Sequence, residues 1–219
     1  MADIFREVDE EVRQDRVQLF VSRYWGWMLI ALLIVIAGVG GWRGYEYWRL
    51  QQAQDAGGRY LDALKLARDG KGPEAISALD ELGRSGNTGY GLLARFRAAS
   101  QTGLADPAGG AKAFDTLSAD GTLPPAFQDI ARLRAAILLA DTIDLKEMRR
   151  RVESLADANN PMRNPARELL AISALKTNAY DDAGKWLDAI VTDPTATASA
   201  RQRAEAFLGL VRSGKTATP

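Results

Sequence analysis

The sequence predicts an all-α protein in which a single N-terminal transmembrane helix precedes a solenoid of helical repeats. Three observations predict it. Tyr24 to Trp42 runs between Arg23 and Arg43 without a charge, and as a helix it reaches roughly 28 Å, close to the hydrocarbon thickness of a bilayer. From Tyr45 onward the apolar residues recur at helical spacing, and no stretch rich in Val, Ile and Thr alternates as a strand would. Two short markers then recur with a period near 35 residues.

Composition narrows the function before any motif is considered. The 219 residues carry 28 basic and 28 acidic side chains, with no Cys and no His. A net charge of zero argues against a general nucleic-acid binder, which needs an excess of Lys and Arg for phosphates. Without Cys there are no disulfides, thiolate nucleophiles or thiolate metal sites. Without His the commonest general base and metal ligand are missing. An enzyme would need a catalytic centre built from Asp, Glu, Lys, Arg, Ser or Tyr alone, so a non-enzymatic protein with no cofactor, no metal and no small-molecule substrate is expected.

In chain order, 1–23 is a short polar segment. Ile4, Phe5, Val8 and Val12 fall at helical spacing around Asp9, Glu10 and Glu11, which fits either a short docking helix for a membrane partner or a solvated lead-in. The span, 24–42, is longer than a typical signal-peptide core. The Trp42-Arg43-Gly44-Tyr45-Glu46-Tyr47-Trp48 run after it is bulky where a cleavage site would be small. The span is therefore expected to stay as an anchor. Trp25 and Trp27 at one end, and Trp42, Tyr45 and Trp48 at the other, sit where headgroup belts place aromatics. Arg6, Arg13, Arg16 and Arg23 before the span outnumber Arg43, Arg49 and Arg59 after it by one, a slight preference for a cytoplasmic N-terminus. Ala37 with Gly41, and Gly40 with Gly44, form small-xxx-small pairs that would let another helix approach closely.

After the span, an exit helix over 45–69 is followed by helices near 73–84, 89–102, 107–118, 125–141, 145–157, 164–177, 180–191 and 196–213. Gly, Pro and Asn punctuation separates them, as at Asp69-Gly70, Gly86-Asn87, Pro124-Pro125, Asn159-Asn160-Pro161 and Asp193-Pro194. The domain limits read 43–69 for the exit or linker helix, 70–213 for the repeats and 214–219 for a flexible tail. One marker is an Ala-Arg pair at Ala94-Arg95, Ala131-Arg132, Ala166-Arg167 and Ala200-Arg201, with steps of 37, 35 and 34 residues. The other is acidic-x-aliphatic at Asp80-Glu81-Leu82, Asp115-Thr116-Leu117, Glu153-Ser154-Leu155 and Asp188-Ala189-Ile190, with steps of 35, 38 and 35. A two-helix unit near 34 residues is the tetratricopeptide period, in which small residues let paired helices pack closely. Asn164 to Pro194 resembles that consensus best, in Ala171, the Asn178-x-Tyr180 turn, Ala183 and the closing Asp-Pro. The other units keep small residues at Ala98-Ala99, Ala111 and Ala135-Ala136 but lose most consensus aromatics.

Val8 to Tyr24, the Gly40-Gly41-Trp42-Arg43 end of the span, the Tyr45-Glu46-Tyr47-Trp48 exit and the repeats behind it form a layout that resembles the YfgM-type family of ancillary translocon subunits. The resemblance implies a bacterial inner-membrane protein with a cytoplasmic N-terminus and a periplasmic domain. It also implies association with the SecYEG translocon and with periplasmic chaperones that receive emerging chains. A scaffold coordinating cell-envelope assembly or cell division is the alternative, since the repeat domain of that family is likened to periplasmic cell-division coordinators.

Two further surfaces follow from the repeat reading. Tetratricopeptide arrays present the first helix of each pair to peptides, which would place Phe96, Leu133, Ile137, Glu168, Ile172 and Leu175 on a partner groove; the same residues at helical spacing equally suit inter-helix core. Arg95, Arg132, Arg167 and Arg201 form either a carboxylate-binding stripe or a solvated surface repeat. Arg149-Arg150-Arg151 fits either anionic lipid or an exposed helix face.

Overall fold

A computed structural model describes residues 3–85 and 89–217, with side chains placed for Arg23, 25–85 and 89–214. The amphipathic face expected from Ile4, Phe5, Val8 and Val12, the Tyr24 side chain and the Gly86-Asn87 turn lie outside these described parts. The described residues form nine α-helices and no strand: α1 (Asp3–Arg68), α2 (Gly72–Arg84), α3 (Gly89–Ala105), α4 (Pro107–Ser118), α5 (Pro125–Leu139), α6 (Leu145–Val152), α7 (Arg163–Lys176), α8 (Tyr180–Val191) and α9 (Ala198–Ala217). The chain divides into two compact units, Met1–Asp55 and Ala56–Pro219, with the boundary inside α1.

In the second unit, helices from α2 to α9 pack on their neighbours in chain order. In addition α5 touches α7, and α7 touches α9. Local signals set the ends of the elements. Asp106 accepts a hydrogen bond from the Gly109 amide at 3.0 Å ahead of Pro107, and Asp144 accepts one from the Glu147 amide at 2.8 Å, satisfying amides that the first helical turn leaves free. Gly70 (φ 78) and Asn178 (φ 58) end α1 and α7 in the left-handed region. After each, an amide closes on a carbonyl five residues back, Lys71 on Leu66 and Ala179 on Ala174.

The core is a stack of four small clusters. Ala56 and Ala63 of α1 join Leu79, Leu82, Ala94 and Ala98. Ala99, Ala111, Phe114, Leu117, Ala131 and Ala135 form the next. Leu133, Ala136, Met148, Val152, Leu155, Ala156, Ala166 and Leu170 follow, and the last gathers Ala171, Ala174, Ala183, Leu187, Ile190, Ala196, Ala204 and Val211. Adjacent residues on a helix point about 100° apart. Ala98 and Ala99 therefore serve two different layers, as do Ala135 and Ala136, and Leu170 and Ala171. Each of α3, α5 and α7 lies between the helix before it and the helix after it, so two adjacent buried positions, both alanine in α3 and α5 and Leu-Ala in α7, are the geometric requirement of a helix packed on two sides.

Three boundaries differ from expectation. From Ala56 on, the expected exit helix already supplies core side chains to the repeats. The helix expected over 145–157 ends as α-helix at Val152 and tightens into a 3₁₀ turn, Glu153–Ala156, which places Leu155 and Ala156 in the core. The tail expected after 213 is helical to Ala217, as part of α9.

Candidate membrane anchor and partner-binding face

In the first unit, α1 is long and apolar enough to cross a membrane, and none of its apolar window is buried. Met28, Leu29, Ile30, Leu32, Leu33, Ile34, Val35 and Ile36 are all exposed. Leaving such side chains in water rather than burying them costs about 1.5–3 kcal/mol each, so this surface suits an apolar solvent. Trp25, Trp27, Trp42, Tyr45 and Trp48 are exposed as well, and the Tyr45 and Trp48 rings lie 6.3 Å apart. Ala37 is exposed, and a Cβ added at Gly40, Gly41 or Gly44 would meet nothing within 4 Å.

In the second unit the six expected groove residues separate. Leu133 is 7% exposed and belongs to the core. Phe96 packs edge-on between Phe114 at 5.9 Å and Phe127 at 6.1 Å. Leu175 lies against the cluster shared by α7, α8 and α9. Ile172 is half-buried, and Ile137 is 44% exposed. Glu168 accepts both Nε and Nη2 of Arg203, at 2.7 and 2.8 Å. Ile137 is thus the one apolar member of the set with an open face.

The recurring arginines mostly serve the repeats themselves. Arg95 donates to Asp120 at 2.6 Å, reaching the loop after α4. Arg167 donates to Asp193 in the loop after α8, at 3.1 Å, and to the carbonyls of Ala156 and Ala189. Arg201 donates to the Asp193 carbonyl at 3.3 Å. Arg132 stays within 3.7 Å of Asp129, which in turn accepts from Asn160 at 2.8 Å. Hydrogen bonds from the Thr122 hydroxyl and from Arg95 hold the Asp120 carboxyl down at about 2. Asp193 is held well below the usual carboxylate range by Arg163, Thr195 and the Thr195 amide.

Sequence reasoning missed a set of ion pairs joining one repeat to the next. Arg151 meets Asp115 across 36 residues, Arg149 meets Asp182 across 33, Arg203 meets Glu168 across 35, and Lys176 meets Asp141 across 35. The available signal was the period: opposite charges one repeat apart fall side by side when units stack. Arg150 also pairs with Glu147 at 2.7 Å, so all three arginines at 149–151 have partners inside the domain. Among the described residues no group of three or more acidic side chains is arranged to hold a metal ion.

These features are a stack of two-helix units with small residues at each junction and, in the separate first unit, an exposed apolar helix. No curated protein and no solved structure matches the chain. Residues 18–160 match the tetratricopeptide repeat-like domain. The match ends ahead of Asn164–Pro194, the unit whose sequence is nearest the consensus, yet α7 and α8 pack on each other and on α9 as the earlier helices do. With well over half of its length accounted for by that domain, the chain belongs to the tetratricopeptide repeat-like domain family, whose repeats are protein-interaction modules.

Proposed function

We propose that this chain is a non-enzymatic, single-pass interaction protein that acts as an ancillary subunit of the SecYEG translocon and links the secretion channel to periplasmic chaperones. The observation that carries the reading is the presence, in one chain, of a helix whose apolar window is wholly unburied and a tetratricopeptide repeat-like domain. An anchor restricts the repeats to the membrane surface, and repeats without a catalytic centre act by holding other proteins. In this reading 24–42 spans the bacterial inner membrane, the N-terminus is cytoplasmic and the repeats are periplasmic. The aromatic residues at both ends of the span, and its open glycine face, support a helix that sits across the bilayer beside other helices.

Photo-crosslinkers at Ala37, Gly41 and Tyr45 in native membranes test this. Recovery of channel subunits is the expected result. Recovery of division or cell-wall proteins alone would move the assignment to envelope assembly, and recovery of no membrane protein would refute an interaction through the span. Protease digestion of the repeats from each side of the membrane tests orientation, and a domain cut only from the cytoplasmic side would end the translocon-exit reading.

A further inference from the structure

Residues 45–68 of α1 run from the end of the apolar segment to the first turn of the repeats, and their only two glycines are adjacent, Gly57-Gly58, with no proline among them. A glycine pair is a recurring place for a helix to bend, because a backbone without a side chain is least held to helical geometry. Alanine suits a helix interior far better, so each glycine needs a reason.

Gly57 has one in its packing. It is buried, and a Cβ built on it would stand 3.1 Å from both Cζ and Oη of Tyr90, with a further ring carbon at 3.4 Å. The Tyr90 ring of α3 thus lies directly against the α1 backbone. The same ring is 6.0 Å, centre to centre, from that of Tyr60, one turn further along α1. Gly58 has no such reason. It is exposed, and a Cβ there would meet nothing within 4 Å. The pair also sits where packing begins: the described side chains from 25 to 55 are all exposed, whereas Ala56 and Ala63 are in the core. The boundary between the two compact units falls at the same place, between Asp55 and Ala56.

We infer that α1 carries a hinge at Gly57-Gly58, with Gly58 as the pivot and the Tyr90 ring as the latch that keeps it straight. With the ring seated on Gly57 the helix continues unbroken from Asp3 to Arg68. When the ring lifts, α1 bends at Gly58; Ala56 and Gly57 leave the core while Tyr60 and Ala63 stay. Only one turn of helix is released, so the opening is local and leaves the repeats folded. Hinges rest on a few residues, often small, that absorb the change in φ and ψ. In the interaction reading above, the hinge lets the repeats follow a bound protein while 24–42 keeps its place. The hinge itself does not depend on which proteins bind.

The chain has no cysteine, so spin labels attach only where cysteine is introduced. Gln51→Cys/Lys112→Cys puts one label on each side of the pivot, and Lys112→Cys/Lys185→Cys puts both within the repeats; all three positions are exposed. Double electron–electron resonance on the full chain in detergent micelles reads both distance distributions. The first pair is expected to show a main peak and a second, bent population. Gly58→Ala should lower that population about fivefold, the equivalent of about 1 kcal/mol of helix propensity. Gly209→Ala, the same change in α9, should leave it unaltered. Tyr90→Ala should raise it roughly two- to tenfold through loss of the ring contact, with the second pair unchanged. A single peak for the first pair, with and without Tyr90→Ala, overturns the hinge. So does a bent population that Gly58→Ala does not lower, or that Gly209→Ala lowers equally. A Tyr90→Ala protein that broadens both pairs, or neither, overturns the latch.

Discussion

Glycine-to-alanine changes at three helical positions should have different signs, and the reason lies in distances. A Cβ built on Gly110 of α4 would stand 2.5 Å from the Gly103 Cα, 2.7 Å from its amide nitrogen and 3.1 Å from the Ala99 carbonyl oxygen. Those atoms are backbone of α3 and cannot swing aside. Ordinary carbon contacts lie at about 3.5–4.0 Å, so α3 and α4 must part by about 1 Å. Overpacking of this kind costs about 3 kcal/mol, while alanine returns about 1 kcal/mol of helix propensity. The net expectation for Gly110→Ala is a loss of about 2 kcal/mol. At Gly103 a Cβ would meet the Leu138 methyl carbons at 2.8 and 2.9 Å, a side-chain end that can turn, so Gly103→Ala should be close to neutral. At Gly209 of α9 nothing lies within 4 Å, and Gly209→Ala should stabilise by up to about 1 kcal/mol. Urea unfolding of the full chain in detergent, followed by circular dichroism at fixed slope, ranks the three. A Gly110→Ala protein as stable as Gly209→Ala would refute the close approach of α3 and α4.

Other outcomes follow from the same structure. Phe114 is fully buried among alanines and Leu117, and Phe114→Ala should lower stability by about 3–4 kcal/mol in the same urea assay. Asp193→Asn removes the carboxylate shared by Arg163 and Arg167, and amide exchange should accelerate around 156–167 and 193–201 while 72–118 is unaffected. The carboxyls of Asp120, held at about 2, and Asp193 are depressed in the folded state. Their stabilisation is complete well above the ordinary aspartate value of about 4 and is lost as pH falls below it, down to about 2 for Asp120 and lower still for Asp193. An Asp120→Asn protein should show a shallower fall over that window in thermal melts, and an unchanged slope would contradict the assigned pairing.

The sites differed in how far they were legible beforehand. The exposed aromatics and glycines of the apolar segment of α1 follow from composition, because none of that segment is buried. The groove set did not survive as a set. Leu133 and Ile137 stand four residues apart on one face of α5, and periodicity treats them alike, yet one is in the core and the other open. Ala136 and Ala140, on either side of Ile137, still pack with α6 and α7, so the difference is which side of α5 its neighbours cover, which no local pattern records. The arginine marker was visible as a repeat, but its use was not: Arg95 finds Asp120 across 25 residues and Arg167 finds Asp193 across 26.

By itself the sequence determined the helical class, the uncharged span, the period and most helix limits, since these depend on neighbours within a turn or two: proline and aspartate at starts, Gly70 and Asn178 at ends, alanine pairs where a helix packs on two sides. Tertiary structure alone decided that α1 supplies the repeats with core residues from Ala56, that the chain after 152 tightens into a 3₁₀ turn, and which charges meet. These outcomes depend on surfaces brought together from about one repeat away, where each charge and each apolar side chain takes whichever neighbour the stacking presents.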